Sequence, residues 1–400
     1  MTADWDGHGT RPSPLAPAAQ EGYVNRILFV DDEPHLLAGL RRMLQIRQGA
    51  GWAMSFVDGG TAALEAMQVQ PFDVVVSDFR MPGIDGAQLL AEVQVRYPQT
   101  VRLILSGYTE QRDLATLASL AHQFLTKPCD PGELRRTVEL TLTLGRQCDD
   151  EHVRAEMSGI SSLPSSPSAL QHLSAVLGSA SSDTRLVARA LQRDVALSAK
   201  VLQLVNSSFF APSRRTTSLE EAVLRLGVQT IRSLVLTSRA PAGPDPAGPR
   251  GPDELQLLND HALETARLAR RLAQPAERDD AGCAGLLHVC GQLALVAGGP
   301  YAFGETSAHA GAYLLTLWGL PPEVVEAVAC LSGPVEAPPD RHLDLVSAVR
   351  VAHVLVESEH IGSCGWSEVA VPVPDRAWLE AAGVLDEVCA WRAERRERAS

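Results

Sequence analysis

From Arg26 to about residue 145 the chain alternates short apolar runs with stretches in which apolar residues recur every three or four positions. RILFV, WAMSFV, FDVVVS, VRLIL and HQFLT are the apolar runs, and each ends in turn or acidic residues. PHLLAGLRRMLQ, TAALEAMQ, GAQLLAEVQVR, LATLASL and GELRRTVELTLTL lie among them with helical spacing. Five strand–helix alternations in ~120 residues predict an α/β unit with a doubly wound parallel sheet. In such a sheet the functional site lies at the carboxyl ends of the strands.

Beyond about residue 145 the strand pattern stops. RQCDDEHVRAEMSGISSLPSSPS reads as a helix tail followed by a Ser/Pro linker, and from there to about residue 360 the spacing is helical. SLEE at 218–221 is the signature of a capping box, with Ser218 capping and Glu221 reaching back. RAPAGPDPAGPRGP at 239–252 is expected to be a mobile surface loop. The chain therefore divides into a disordered arm (1–22), the α/β unit (23–145), a linker (146–160), an all-helical unit (161–361) and a helical extension (362–400). The fold class is α/β plus all-α.

Composition narrows the range of functions. A net charge of −13 argues against general attraction to nucleic acid or anionic lipid. The basic residues of WRAERRERAS alternate with acids, as on a solvated helix. The seven cysteines include no CxxC pair, so neither a zinc ribbon nor a disulfide framework is expected. Cys283 and Cys290 read as small buried hydrophobes. With no signal-peptide pattern and no apolar run long enough to span a bilayer, the expected setting is cytoplasmic, without membrane association.

Three carboxylates follow strand signals: Asp31 and Asp32 after RILFV, and Asp78 at the end of FDVVVSD. Brought together at neighbouring strand ends, they would repel one another unless a hard divalent cation such as Mg²⁺ sat among them. An aspartate there can also attack phosphorus and form an acyl phosphate, whose charge needs a cation on each side. Lys127, after HQFLT, suits that role; it and Lys200 are the only lysines. Ser106 ends VRLIL with a hydroxyl, and Phe124 stands three residues before the lysine.

FVDDEP, VVSDFRMPGIDG, LILSGYT and FLTKP resemble the receiver domain of two-component response regulators. The resemblance implies a flavodoxin-like (βα)5 fold, Asp78 as phosphoacceptor, and Mg²⁺ held by Asp31, Asp32, Asp78 and the backbone carbonyl of Arg80. It further implies Ser106 and Phe124 as a switch pair and Lys127 as the phosphate-contacting cation. The implied phosphodonor is a sensor histidine kinase or a phosphotransfer protein.

LPSSPSALQHLSAVL, ALQRDVALSAKVLQLVNSSFF and RRTTSLEEAVLRLGVQTIRSLVL resemble the HDOD domain, a helical relative of HD phosphohydrolases that generally lacks a complete metal site. His261 and His288 match the first histidine and the His-Asp pair of those enzymes, but Val289 replaces the aspartate. Gln292 stands where many have lysine, Leu331-Ser332 where a His-His pair is expected, and His353 where the late aspartate falls. His309 is retained. Without the bridging carboxylate no metal is expected in this half, although His261, His288, His309 and His353 could in principle bind zinc or be hydrogen-bonded core histidines. The resemblance thus implies a response regulator whose output is protein interaction, through an unidentified partner or a phosphorylation-dependent homodimer, with no direct nucleic-acid contact. The alternative is a metal-dependent phosphodiesterase acting on cyclic dinucleotides or other phosphoesters.

Overall fold

The computed structural model describes residues 24–45, 52–107, 118–127, 129–147, 151–179, 183–207, 210, 215–238, 252–298, 305–335, 343–359 and 373–399. The expected arm at 1–22, the loop at 239–252 up to Gly251 and the segment 360–372 lie outside the described residues.

Strands β1 (Asn25–Val30), β2 (Trp52–Val57), β3 (Val74–Asp78), β4 (Val101–Ser106) and β5 (Gln123–Thr126) form one parallel sheet in the order β2-β1-β3-β4-β5. β3 and β4 are buried along their whole length and are mostly apolar, with Arg102 of β4 the buried exception before the strand ends, whereas the edge strand β2 is only half-buried. Parallel strands need crossovers, and α1 (Pro34–Gln45), α2 (Gly60–Val69) and α3 (Gly86–Arg96) supply the first three. Asp85 opens α3 with a capping box, accepting from the Gln88 amide at 2.8 Å while the Gln88 side chain accepts from the Asp85 amide at 3.2 Å. LATLASL is described only from Ala118 onward, where a short helical turn enters β5. α4 (Pro131–Gln147) follows β5.

The remaining elements are helical. The 146–160 segment, expected as a linker, contains α5 (Glu151–Gly159), which forms because Val153, Met157 and Ser158 are buried against the rest of the protein. Then come α6 (Pro167–Gly178), α7 (Thr184–Leu191), α8 (Val195–Val205), α9 (Leu219–Leu226) and α10 (Val228–Ser238). α11 (Pro252–Leu272), α12 (Arg278–Leu287), α13 (Cys290–Gly298), α14 (Glu305–Leu317), α15 (Pro322–Ala329) and α16 (Leu345–Ser358) complete the bundle. Ser218 caps α9 as its motif suggests, but Glu221 does not reach back to it. That carboxylate is taken by the Thr216 hydroxyl and by Arg225 one turn on.

α13 and α14 cross at backbone distance. A Cβ on Gly291 would lie 1.9 Å from the Ser307 carbonyl oxygen and 2.7 Å from the Gly311 nitrogen. Neither atom can move without displacing a helix, so Gly291→Ala is expected to lower stability by about 3 kcal/mol or more, read as a shift in the urea midpoint.

The two halves meet along a polar seam. On α8, Lys200 donates to the carbonyl oxygens of Ala118 and, at 2.6 Å, Ser161. Gln203, one turn on, donates to the His122 carbonyl at 2.8 Å. From the sheet side, the Gln123 amide donates to the Thr316 carbonyl of α14 at 3.1 Å, and α14 packs on both α4 and α5. Arg102 of β4 is fully buried and donates to the carbonyls of Leu120 (2.8 Å), Thr100 (3.3 Å) and Ser158 (3.1 Å). The Ser158 hydroxyl in turn bonds the Tyr313 hydroxyl of α14 at 3.1 Å.

Burial, with Arg102 as a lesser cause, lowers the Lys200 pKa to about 7. Between about pH 7 and 10.5 the unfolded chain therefore holds a proton that the folded chain lacks, so stability rises with pH through that window. Below pH 7 both states are charged and the full burial penalty stands. Urea unfolding at pH 7 and pH 10 should show the wild type gaining a few kcal/mol relative to Lys200→Met, which has no amine to titrate.

The C-terminal helices α17 (Arg376–Ala381) and α18 (Leu385–Ala399) pack back on the bundle through Leu379, Val388 and Trp391. The basic tail is not a uniformly solvated face. Glu264 of α11 accepts from the Trp391 indole and from Arg398, each at 3.1 Å, and Arg271 pairs with Glu394 at 2.6 Å.

Candidate functional site

The sheet register explains how distant residues meet. Val30 ends β1 opposite Ser77, Asp78 ends β3 opposite Leu105, and Ser106 ends β4 opposite Thr126. The next residues, Asp31, Asp32 and Lys127, therefore emerge at the same carboxyl edge. Oxygens of Asp31, Asp32 and Asp78 lie within 4.8 Å of one another. Lys127 Nζ bridges two of these residues, at 2.7 Å from Asp31 Oδ2 and 2.7 Å from Asp78 Oδ1.

Electrostatics mark the site as short of positive charge. Desolvation raises the pKa of Asp78, and the neighbouring Asp31 adds to the shift; the hydrogen bond and charge of Lys127 oppose it without cancelling it. Burial works against the ammonium of Lys127, but its bonds to Asp31 and Asp78 outweigh this and raise its pKa. Three carboxylates with one bridging lysine leave room, in charge and in oxygen ligands, for a hard divalent cation. The residues present fit Mg²⁺.

Gly86, the last residue of VVSDFRMPGIDG, has a role at the site that the motif alone does not give. Its Cβ would fall 2.2 Å from the Asp78 carbonyl oxygen, and its amide donates to the Phe79 carbonyl at 2.8 Å. The start of α3 is thus seated directly beneath the backbone of Asp78.

Ser106 is buried, its hydroxyl 3.4 Å from the Gly107 carbonyl. Phe124 is also buried and borders a small cavity together with Thr137 of α4 and Gln203, Asn206, Arg215 and Trp318 of the helical half. The strand bearing Phe124 is therefore in contact with the helical half. Lys200 and Gln203 lie within ALQRDVALSAKVLQLVNSSFF and Gln123 within HQFLT, but nothing in those segments assigned them a seam role.

In the helical half, His261 of α11, His288 between α12 and α13, and His353 of α16 come together, all buried, with ring centroids 5.0 to 5.2 Å apart. Burial first, then the neighbouring imidazoles, holds His353 well below its ordinary pKa and brings His288 down to about 3, so both are neutral. His309 is exposed on α14 and does not join the cluster. It sits between buried Ala308 and Ala310, on the outer side of the helix. Val289, Gln292 and Leu331 are buried, and Ser332 is half-buried just past α15.

Comparison with known proteins agrees with this two-part layout. The family model of the response regulator receiver domain matches residues 27–139, and that of the HDOD domain matches residues 163–303. The hydrogenase transcriptional regulatory protein HoxA of Cupriavidus necator is 35% identical over 114 residues, covering 28% of this chain and 23% of that protein. The transcriptional regulatory protein ZraR of Escherichia coli is 30% identical over 194 residues, covering 45% and 43%. The chain thus spans less than half the length of these curated relatives. Among solved structures, the signal receiver domain of an HD domain-containing protein from Pseudomonas fluorescens aligns with 28% identity and a TM-score of 0.29, covering 32% of this chain and 100% of that one. The MmoQ response regulator of Methylococcus capsulatus aligns with 19% identity and a TM-score of 0.46, covering 57% and 96%. Among the described residues no helix is long and apolar enough to cross a membrane.

Proposed function

We propose that this chain, in which a response regulator receiver domain is followed by an HDOD domain, accepts a phosphoryl group on Asp78 and passes the resulting change to its helical half, which acts by binding another protein. The observation that carries this reading is the bridge from Lys127 to both Asp31 and Asp78 at the carboxyl edge of the sheet. It joins a nucleophile and a fixed cation in the geometry that acyl phosphate formation requires.

In the reaction, an Asp78 carboxylate oxygen forms a bond to phosphorus as the bond from phosphorus to the donor's leaving group breaks. Asp31, Asp32, Asp78 and the Arg80 carbonyl would hold Mg²⁺, which supplies charge neutralisation for the phosphoryl oxygens. Lys127 exchanges its bond to Asp78 for one to the new phosphoryl group. The Ser106 hydroxyl turns from the Gly107 carbonyl toward that group, and Phe124 repacks beside it. Because Phe124 shares its cavity with Gln203 and Trp318, repacking is felt directly across the seam. The donor is a histidine kinase or a phosphotransfer protein. The helical half does not act as an HD-type two-metal phosphohydrolase, since Val289 offers no carboxylate to bridge the metals.

Trp318 gives a direct reporter, with Lys200 Nζ 5.7 Å from its ring centroid. Adding Mg²⁺ and acetyl phosphate is expected to change the intrinsic fluorescence of the wild type, and the change should vanish in both Asp78→Asn and Trp318→Phe. A fluorescence response that survives in Asp78→Asn, or none in the wild type, rules against transmission through this seam.

A further inference from the structure

We infer that His261, His288 and His353 form a buried binding site for one zinc-class divalent metal ion in the helical half, cross-linking α11, the α12–α13 junction and α16, with a water as the fourth ligand. The inference is independent of phosphoryl transfer at Asp78.

The side chains are arranged as ligands. One ring nitrogen from each histidine lies within 4.8 Å of the other two, and His261 Nε2 is 3.1 Å from His353 Nδ1. Nitrogens bound tetrahedrally to zinc at about 2.0–2.1 Å are about 3.3 Å apart, so this pair already has the spacing of metal ligands. His288 fixes the tautomer that a ligand needs. Its Nδ1–H donates to the Gly285 carbonyl at 2.7 Å, which leaves the lone pair on Nε2. That Nε2 is buried and has no hydrogen-bond partner among the described residues.

A hydrogen-bonded histidine cluster does not account for this arrangement. One bond between His261 and His353 satisfies those two nitrogens, but the third imidazole is left with a buried acceptor and no donor. A buried polar atom in that state costs about 1–3 kcal/mol, and a cation removes the cost. Around the cluster, Glu357 Oε2 lies 3.6 Å from His261 Nδ1, on the far side of the ring from the nitrogen facing His353. That is the position of an outer carboxylate that orients a metal-bound imidazole.

The donor set selects the metal. Three neutral imidazoles without a carboxylate suit zinc and its neighbours, not Mg²⁺ or Ca²⁺. Val289 does not bear on such a site. It removes the bridging carboxylate needed for two metals and an activated water, whereas a single three-histidine site needs none.

The test uses the full chain, stripped with a chelator and then titrated with ZnCl₂ in excess Mg²⁺, which keeps the Asp31, Asp32 and Asp78 cluster occupied. One equivalent of zinc per chain is expected to survive gel filtration and to raise the melting temperature by several degrees. His288→Gln and His353→Gln should bind less than a tenth as much, while His309→Gln, at an exposed position, should bind as the wild type does. Should the cluster variants fail to fold, zinc-edge X-ray absorption of the wild type decides, with three imidazole scatterers at about 2.0 Å expected. Coordination by fewer than three imidazoles, any sulfur ligand, substoichiometric zinc in the wild type, or full binding by a folded His288→Gln overturns the inference.

Discussion

Asp78→Asn is expected to abolish phosphoryl uptake from acetyl phosphate, lowering incorporation by at least about 100-fold, because the amide oxygen is not a nucleophile toward phosphorus. The same substitution should leave the fold intact. Asp78 is held with a raised pKa by desolvation and by the nearby Asp31, so removing its charge relieves repulsion at the site. Lys127 keeps its 2.7 Å bond to Asp31. Phosphate-affinity gels read the first effect and thermal melting the second, with the melting temperature of the variant equal to or slightly above that of the wild type. A variant that melts much lower would mean that Asp78 acts chiefly as a structural ion-pair partner.

The second large effect is expected at Arg102. Among the described residues its guanidinium has no carboxylate partner, and burial lowers its pKa to about 10. It is held by the carbonyls of Leu120, Thr100 and Ser158. Arg102→Leu fills part of the space but takes the donor from the Leu120 and Thr100 carbonyls, each costing about 1–3 kcal/mol, and leaves Ser158 with only the His122 ring, while relieving the burden of a buried charge. The net loss should be about 3 kcal/mol, visible in urea unfolding. It should also be directional. Ser158 links α5 to Tyr313 of α14, so protease cleavage within 146–160 should accelerate more than cleavage elsewhere. Uniform acceleration along the chain would show that Arg102 stabilises the sheet alone.

The sheet and its acidic edge were legible in the sequence for a definite reason. Strands covered on both faces read as unbroken apolar runs, and their final residues fall at one edge whatever the details of packing. Asp31, Asp78, Ser106 and Lys127 could therefore be placed together by counting. Gly86 could not, because its role is a close approach to the Asp78 backbone that no side-chain pattern records. The seam was hidden for a related reason. Lys200, Gln203, Gln123 and Arg102 bond backbone carbonyls, which every residue has, so no complementary residue appears at a fixed spacing. In the helical half, the matched positions brought His261, His288 and His353 to attention, but the same reading admitted His309, whose exposed position became evident only from helix packing. The tail looked solvated because its basic and acidic residues alternate. Its partners Glu264 and Arg271 lie on α11 and Glu359 lies just past α16, out of reach of a local charge pattern.

The central claim is that the state of Asp78 is read across the contact between β5 and the helices α8 and α14. Amide hydrogen exchange measured with Mg²⁺, with and without acetyl phosphate, tests it most directly. The account predicts that in the wild type the change in exchange extends beyond the phosphorylation site to residues 118–127, 195–206 and 312–320, and that none occurs in Asp78→Asn. A wild type whose exchange changes only around Asp31, Asp78 and Lys127, with the seam untouched, would contradict it.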